Sequence, residues 1–281
     1  MSAPTRPILR YHGGKWRLAP WIIGHFPPHR VYVEPFGGAA SVLLRKPRSY
    51  AEVYNDLDGE VVNLFRVLRD ETLAGRLCAM LALTPFARAE FEAAYEDCDN
   101  PVERARRLVI VSFMGFGSNG HNTLTRTGFR ANSNRSGTTP AHDWSNYPDA
   151  LRVGVERLRG VVIESRDALD IIRQHDGPRT LHYVDPPYPH STRDRGGRQR
   201  DYRHEMTDNE HRALAATLRA VEGTVVLSGY ACDLYDRELY PDWARVERAA
   251  HADGARDRVE VLWLNRPLSA TLFSDDDRRT T

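Results

Sequence analysis

The residues best suited to chemistry in this sequence form the run Asp185-Pro186-Pro187-Tyr188, which follows an apolar stretch at 180–184. The β-branched and aromatic residues of that stretch predict a buried strand, so the motif begins where the strand ends. Proline fixes φ and lacks an N–H, so this loop does not extend the sheet and its carbonyl groups stay available. A carboxylate, a carbonyl and a ring suit a planar ligand that bears an amine, such as a nucleobase. For the motif alone, an ordinary tight turn is the alternative.

Two glycine-containing motifs precede it and would let a ligand approach the backbone closely. The first, Tyr11-x-Gly13-Gly14-Lys15, does not have the spacing of a Walker A phosphate loop. The second, Pro35-Phe36-Gly37-Gly38, lies between a predicted strand at 31–34 and a predicted helix at 41–46. Strand, glycine turn and helix in this order are typical of the first unit of a nucleotide-binding α/β sheet. For these motifs the alternatives are a plain turn and close packing of the helix on the strand.

Acidic residues follow two further predicted strands, at 51–54 and 161–164. Asp56 comes after the first, where α/β folds commonly bind a ribose, and Asp58 follows two residues later. We assign Asp56 to the ligand and Asp58 to the N-cap of a predicted helix. Asp167 opens another predicted helix after the strand at 161–164.

The composition is that of an ordinary globular protein, since 41% of the 281 residues are hydrophobic and 27% are charged. Three scattered cysteines argue against a disulfide framework and a structural zinc site, and they suit a reducing cytosol. The sequence has neither a run of the ~20 apolar residues that cross a bilayer nor a signal-peptide pattern. We therefore expect a cytoplasmic protein, and the arginine bias points to a bacterial or phage-infected cell.

Positive charge is concentrated in two segments, although the net charge is only +1. No Asp or Glu occurs from residue 104 to 142, and a second basic run follows at 193–203. Both predict a local polyanion-binding face, with solvated surface as the alternative. Arginine binds phosphate or guanine, and asparagine binds adenine. The candidate DNA-binding residues are Arg126, Arg130, Asn132, Arg135, Arg195 and Arg198.

Helical periodicity from residue 59 to about residue 114 interrupts the alternation of strands and helices. We interpret residues 59–149 as an inserted subdomain, a helical bundle followed by a basic hairpin or loop with its turn at Thr127-Gly128. Residues 1–58 and 150–281 then form the catalytic domain. Near its end, a capping box at 207–210, a buried strand at 224–228 and an antiparallel pair of strands at 245–249 and 259–264 complete an α/β fold.

In their order along the chain, these motifs resemble those of the Dam-like DNA adenine methyltransferases, the α-group enzymes that use S-adenosylmethionine. The matched motifs begin at Tyr11, Pro35, Asn55 and Asp185, and the resemblance spans most of the chain. Each motif is weak alone, but the ordered set is specific. The resemblance implies a Rossmann-like, S-adenosylmethionine-dependent methyltransferase domain with an inserted, mainly helical target-recognition subdomain.

The resemblance also implies which residues hold the cofactor. Asp56 would bind its ribose and Asp167 its adenine amino group, while the first motif would lie beside the methionine end. Ala40 and Ala168 depart from the family pattern, which often has a glycine and an aromatic residue there. The implied cofactor-binding residues are Tyr11, Gly13, Gly14, Lys15, Phe36, Gly38, Asp56, Asp167 and Asp185.

For catalysis, the resemblance implies that Asp185 and the Pro186 carbonyl accept hydrogen bonds from the target amine, while Tyr188 stacks on the flipped base. The predicted function is site-specific methylation of adenine N6 in double-stranded DNA, without a metal, by a monomer or weak dimer. Cytosine-N4 methylation and a catalytically inactive DNA-binding relative are the alternatives. The sequence leaves open whether the protein pairs with a restriction nuclease, serves a phage or acts alone.

Overall fold

One mixed sheet organises the computed structural model, which describes residues 4–11, 13–116, 126–132, 137–192, 204–251 and 257–267. Its strands lie in the order β3-β2-β1-β4-β5-β7-β6. β1 to β5 run parallel, and β7 runs antiparallel to both β5 and β6. The strands are β1 (Val31–Glu34), β2 (Ala51–Asn55), β3 (Val161–Glu164), β4 (Thr180–Val184), β5 (Thr224–Tyr230), β6 (Ala244–His251) and β7 (Asp257–Leu264).

The strand order reverses between β1 and β4, which are neighbours at the centre of the sheet. In an open α/β sheet, ligands bind outside the carboxyl ends of the strands at such a switch point. Pro35 directly follows β1 and Asp185 directly follows β4, so two of the predicted motifs lie there. The predicted Rossmann-like α/β fold class is confirmed.

Helices cover the sheet, and local capping signals begin several of them. Asp58 accepts a hydrogen bond from the Glu60 N–H, as assigned, and Thr207 and Glu210 form the predicted capping box. The helices are α1 (Ala19–Ile23), α2 (Ser41–Arg45), α3 (Gly59–Arg69), α4 (Glu71–Leu83), α5 (Arg88–Ala93), α6 (Pro101–Met114), α7 (Pro140–Ser145), α8 (Tyr147–Leu158), α9 (Ala168–Gln174) and α10 (Asp208–Ala220).

Successive side chains of a strand point to opposite faces of the sheet, and β1, β2, β4 and β5 are buried on both faces. Leu181 and Val226 lie on the face covered by the larger hydrophobic core, whereas Val225 and Leu227 pack on the other face with residues of α10. Phe65 of α3 and Val109 of α6 belong to the larger core. The helices of the predicted recognition subdomain therefore share one core with the sheet.

The segment after α6 differs from the predicted hairpin. Phe116 N–H donates to the Gly128 carbonyl at 2.7 Å, and Gly115 forms an antiparallel bridge with Phe129. Residues 128–130 therefore return along residues 114–116, and a turn at Thr127-Gly128 is wrong. Residues 123–125 of the predicted hairpin lie outside the described part of the chain.

Candidate active site

Asp185 stands at the carboxyl end of β4, where its carboxylate meets side chains from two distant parts of the chain. Lys15 Nζ lies 2.9 Å from Oδ2, and the Ser228 hydroxyl donates to Oδ1 at 2.9 Å. Val184 pairs with Leu227 in the parallel register of β4 and β5, so the residues that follow them lie side by side. The sheet therefore brings Ser228 to Asp185, a contact that the motif does not predict.

A second carboxylate, Glu260 on β7, completes this site, and the motif-based interpretation missed it. The Tyr188 hydroxyl donates to Glu260 Oε1 at 2.9 Å and lies 3.3 Å from Asp185 Oδ1. Glu260 pairs with Tyr230 in the register of β7 and β5, and the Tyr230 ring packs edge-on against Tyr188. One sequence signal could have found it, because Glu260 is an acidic residue inside an otherwise apolar predicted strand at 259–264.

One buried lysine serves both carboxylates. Lys15 is 5% exposed and Glu260 is 2% exposed, and the ammonium lies 3.6 Å from Glu260 Oε1. Burial raises the pKa of Glu260 to about 7, against the lowering effect of Lys15 and with a further raising effect from Asp185. Glu260 therefore exchanges a proton near neutral pH, where an ordinary glutamate is fully ionised.

The first motif reaches the site through a tight turn. Gly13 has a φ of +70°, and the Gly14 N–H donates to the Tyr11 carbonyl at 3.1 Å. Lys15 Nζ then donates back to the Gly13 carbonyl at 2.8 Å while it contacts Asp185. A left-handed turn that glycine adopts easily therefore aims the lysine at the end of β4.

The turn after β1 lies next to this lysine turn. Gly38 has a φ of +47°, and a Cβ there would lie 3.0 Å from the Tyr11 ring. The Tyr54 hydroxyl donates to the Gly38 carbonyl at 2.7 Å. Ala40, where the family pattern often has glycine, is fully buried with a left-handed φ of 52°. The alanine therefore keeps the glycine-like turn, at some cost in strain.

Asp56, predicted to bind the ligand, supports the turn after β1 from the neighbouring strand end. Its carboxylate accepts the Gly38 N–H at 2.7 Å and the Asp58 N–H at 2.8 Å. Burial raises the pKa of Asp56 to about 6, while these two hydrogen bonds lower it. A carboxylate offers about four acceptor positions, so two contacts leave capacity for ribose hydroxyls.

Asp167 is exposed and forms the N-cap of α9, where its Oδ1 accepts from the Leu169 and Asp170 N–H groups. The Asn55 side chain binds the loop that precedes Asp167, since it donates to the Arg166 carbonyl and accepts from the Arg166 N–H. The ends of β2 and β3 are thus fixed together. Ala168 is buried.

Three of the six predicted DNA-binding residues lie in the described part of the chain. Arg126 is exposed with its guanidinium over the Tyr95 ring, Asn132 is exposed, and Arg130 donates to the Phe113 carbonyl at 3.2 Å. Arg135, Arg195 and Arg198 lie outside the described residues.

Part of the basic segment that begins at residue 104 is neutralised by ion pairs. Arg104 binds Glu60, and Arg106 and Arg107 both bind Glu103. Charge counting along the sequence therefore overstated the positive charge of α6.

The described residues form neither a membrane-spanning helix nor a cluster of metal ligands. Within those ranges, no helix is both long enough and apolar enough to cross a bilayer. In the same part of the chain, no three His, Cys, Asp or Glu side chains are grouped as a metal ion would require.

Known proteins match this chain over much of its length. The family model described as D12 class N6 adenine-specific DNA methyltransferase matches residues 11–250. Two proteins named DNA adenine methylase, from Salmonella typhi and Escherichia coli (strain K12), are each 26% identical over 192 residues, which cover 66% of this chain and 65% of theirs. A third of that name, from Haemophilus influenzae, is 28% identical over 197 residues, covering 65% of this chain and 64% of its own. The chain thus aligns with slightly less than two thirds of each relative's length.

Proposed function

Because the chain belongs to the D12 class N6 adenine-specific DNA methyltransferase family, we propose that it methylates adenine N6 in double-stranded DNA with S-adenosylmethionine. The observation that carries this proposal is the position of Asp185, whose carboxylate leaves β4 at the switch point of the sheet. Its surroundings support a role as acceptor, since Lys15 and Ser228 fix its orientation. We include in this proposal that methylation is site-specific and that the target base flips out of the duplex.

The ends of β1, β2 and β3 fit the methyl donor. Gly38 has a left-handed φ, and its lack of a side chain lets the Tyr11 ring pack against the turn. Asp56 and Asp167 keep acceptor capacity for ribose hydroxyls and for an adenine amine. The donor supplies an electrophilic methyl group on a positively charged sulfonium, which the carboxylates of Asp185 and Glu260 favour electrostatically. Tyr11, Gly13, Gly14, Lys15 and Phe36 complete the proposed cofactor-binding set.

Asp185 and the Pro186 carbonyl would act on the target amine by positioning. An exocyclic aromatic amine is a poor nucleophile because its lone pair is delocalised into the ring. Two acceptors on its hydrogens favour a pyramidal nitrogen, whose lone pair then points away from the ring toward the methyl group. A duplex hides this amine, so the base must leave the stack before it reaches the site.

Tyr188 is the proposed stacking partner of that base. The ring is 5% exposed, and Lys15 Nζ lies 4.9 Å from its centroid. Entry of the base therefore requires a shift of the groups that cover the ring. Arg126, Arg130, Asn132, Arg135, Arg195 and Arg198 are the proposed DNA contacts.

Transfer of a labelled methyl group from S-adenosylmethionine to duplex DNA tests the proposal. We expect transfer by the wild-type protein and none by Asp185→Ala. Asp149→Ala, which changes an exposed carboxylate on α8, is the matched control and should retain wild-type transfer. Hydrolysis of the DNA then identifies the base, and a product that contains N4-methylcytosine in place of N6-methyladenine would overturn the proposed target.

A further inference from the structure

We propose that Asp185, Tyr188 and Glu260 form a proton relay that removes the proton released when the target amine is methylated, with Glu260 as the final acceptor. The inference rests on the proposed function and deepens it, because it assigns a catalytic role to a residue outside the motifs. Glu260 lies on β7, whereas Asp185 and Tyr188 lie in the loop after β4. The three side chains meet only in the folded sheet.

When both carboxylates are ionised, the relay contains one proton, that of the Tyr188 hydroxyl, and it can accept a second. The Tyr188 hydroxyl oxygen lies 2.9 Å from Glu260 Oε1 and 3.3 Å from Asp185 Oδ1. A hydroxyl has one proton to donate and two lone pairs that accept. With both carboxylates ionised, the single proton goes to the nearer oxygen of Glu260. When Asp185 is protonated, its Oδ1 can donate that proton to the Tyr188 oxygen.

Lys15 determines the direction in which a proton moves between the two carboxylates. Lys15 Nζ is 2.9 Å from Asp185 but 3.6 Å from Glu260, so Coulomb attraction favours negative charge on Asp185. Glu260 is the more deeply buried carboxylate, and burial raises its pKa to about 7. A proton that arrives at Asp185 is therefore more stable on Glu260.

The groups around Glu260 come from each neighbouring element. Lys15, Asp185 and Tyr188 face it from the first motif and from the loop after β4. On the neighbouring strands its cross-strand partners are Tyr230 on β5 and Arg248 on β6, and Arg248 is exposed. Among these neighbours, Lys15 is the buried cation that contacts Glu260.

Methyl transfer forms one bond, breaks another and leaves one proton to be removed. The bond from the amine nitrogen to the methyl carbon forms, and the carbon–sulfur bond breaks with its electron pair left on sulfur. The methylated nitrogen then carries a positive charge and one proton too many. That proton moves to Asp185, and Asp185 passes a proton to the Tyr188 oxygen as Tyr188 gives its own to Glu260. Asp185 ends ionised, Tyr188 neutral and Glu260 protonated.

Glu260→Gln tests the relay because the amide keeps an acceptor for Tyr188 but does not take up a proton. We expect its single-turnover methyl transfer to fall about 100-fold, the lower end for general acid–base catalysis. The wild-type rate should rise with pH through about 7, and this rise should be absent in Glu260→Gln. Tyr188→Phe should also lose the rise, and the double variant should be no slower than the slower single variant.

Thermal unfolding as a function of pH gives a second readout that does not depend on activity. Glu260 binds a proton more readily in the folded chain, so its favourable contribution is present in acid and is lost from pH 4.5 through about 7. The wild type should therefore lose stability relative to Glu260→Gln over this interval. Glu247→Gln, an exposed change on β6, is the control and should follow the wild type in both measurements.

The outcomes separate the relay from the proposed function. Wild-type rate and pH profile in Glu260→Gln would overturn the relay and leave the methyltransferase intact. A slower Glu260→Gln that keeps the rise near pH 7 would also overturn it, since Glu260 would then only position Tyr188 and Lys15. Absence of transfer by the wild type to any DNA would overturn the proposed function and the relay with it.

Discussion

Two buried clusters of charged side chains sit at opposite ends of the same sheet and balance their charges differently. The Glu52 cluster (Lys46, Glu52 and Arg157) lies near the start of β2, and the Asp185 cluster (Lys15, Asp185 and Glu260) lies where β4 ends. In the Glu52 cluster, one carboxylate binds two cations at 2.6 Å each. In the Asp185 cluster, one cation serves two carboxylates.

The pKa values follow from this difference in charge. Burial acts to raise the pKa of Glu52, but hydrogen bonds from Arg157 and Lys46 outweigh it and lower the pKa. In Glu260, burial prevails and the pKa rises to about 7. The Glu52 cluster therefore has a fixed charge and joins β2, α2 and α8. The Asp185 cluster has more carboxylates than cations, and this negative charge would stabilise the sulfonium and accept the released proton of the proposed reaction.

The largest expected effect is on catalysis. Asp185→Ala should lower methyl transfer by about a thousandfold or more, because it would remove the proposed acceptor that orients the amine. Its free energy of unfolding should change far less, since the residue is partly exposed and one of two carboxylates that share Lys15. Labelled methyl transfer and urea denaturation of the same sample check both parts. A large loss of stability would instead show that Asp185 holds the fold together as the Glu52 cluster does.

The next effect is on stability. Arg157→Ala should destabilise the fold by about 3 kcal/mol, because it leaves Glu52 with one of its two cations and also loses the bond to the Leu43 carbonyl. Methyl transfer per folded molecule should be unchanged when it is measured well below the unfolding temperature. Arg152→Ala, at an exposed ion pair on the same helix, is the control, with an expected change of under about 1 kcal/mol.

A third, smaller effect should be on cofactor binding, through the uncharged turn after β1. Gly38→Ala should weaken cofactor binding about tenfold, because φ is +47° and the new Cβ would lie 3.0 Å from the Tyr11 ring. Gly75→Ala on α4 is the matched control, since a Cβ there meets nothing within 4 Å. That change should leave binding intact and raise stability by about 0.5–1 kcal/mol. Isothermal titration with S-adenosylmethionine measures the difference.

The smallest effect should come from the surface. Arg126→Ala should weaken DNA binding about threefold and lower the slope of log affinity against log salt by about 1, as for the loss of one phosphate contact. Arg237→Ala, which removes another exposed arginine, should change neither quantity. Affinity measured over a salt series gives both numbers. A change in cofactor affinity in Arg126→Ala would contradict the proposal that Arg126 contacts DNA alone.

Local signals along the sequence determined much of the fold. The predicted strands at 31–34, 161–164 and 180–184 have those bounds in the structure, because their apolar runs lie between turn-forming residues. The N-cap at Asp58 and the capping box at Thr207 were also predicted, since a cap depends on residues two or three positions away. The order of the motifs was sufficient to identify the family.

The tertiary structure decided which side chains meet. Glu260 reaches Tyr188 only through the antiparallel register of β7 with β5, and Lys15 reaches Asp185 only because its turn lies against the end of β4. Ion pairing of Arg104 with Glu60 likewise removed positive charge that counting along the sequence had retained. Propensity and spacing act over a few residues, whereas contacts between distant residues depend on strand order and register. The sequence therefore predicted Asp185 and Lys15 as site residues, and the fold brought them together and added Ser228 and Glu260.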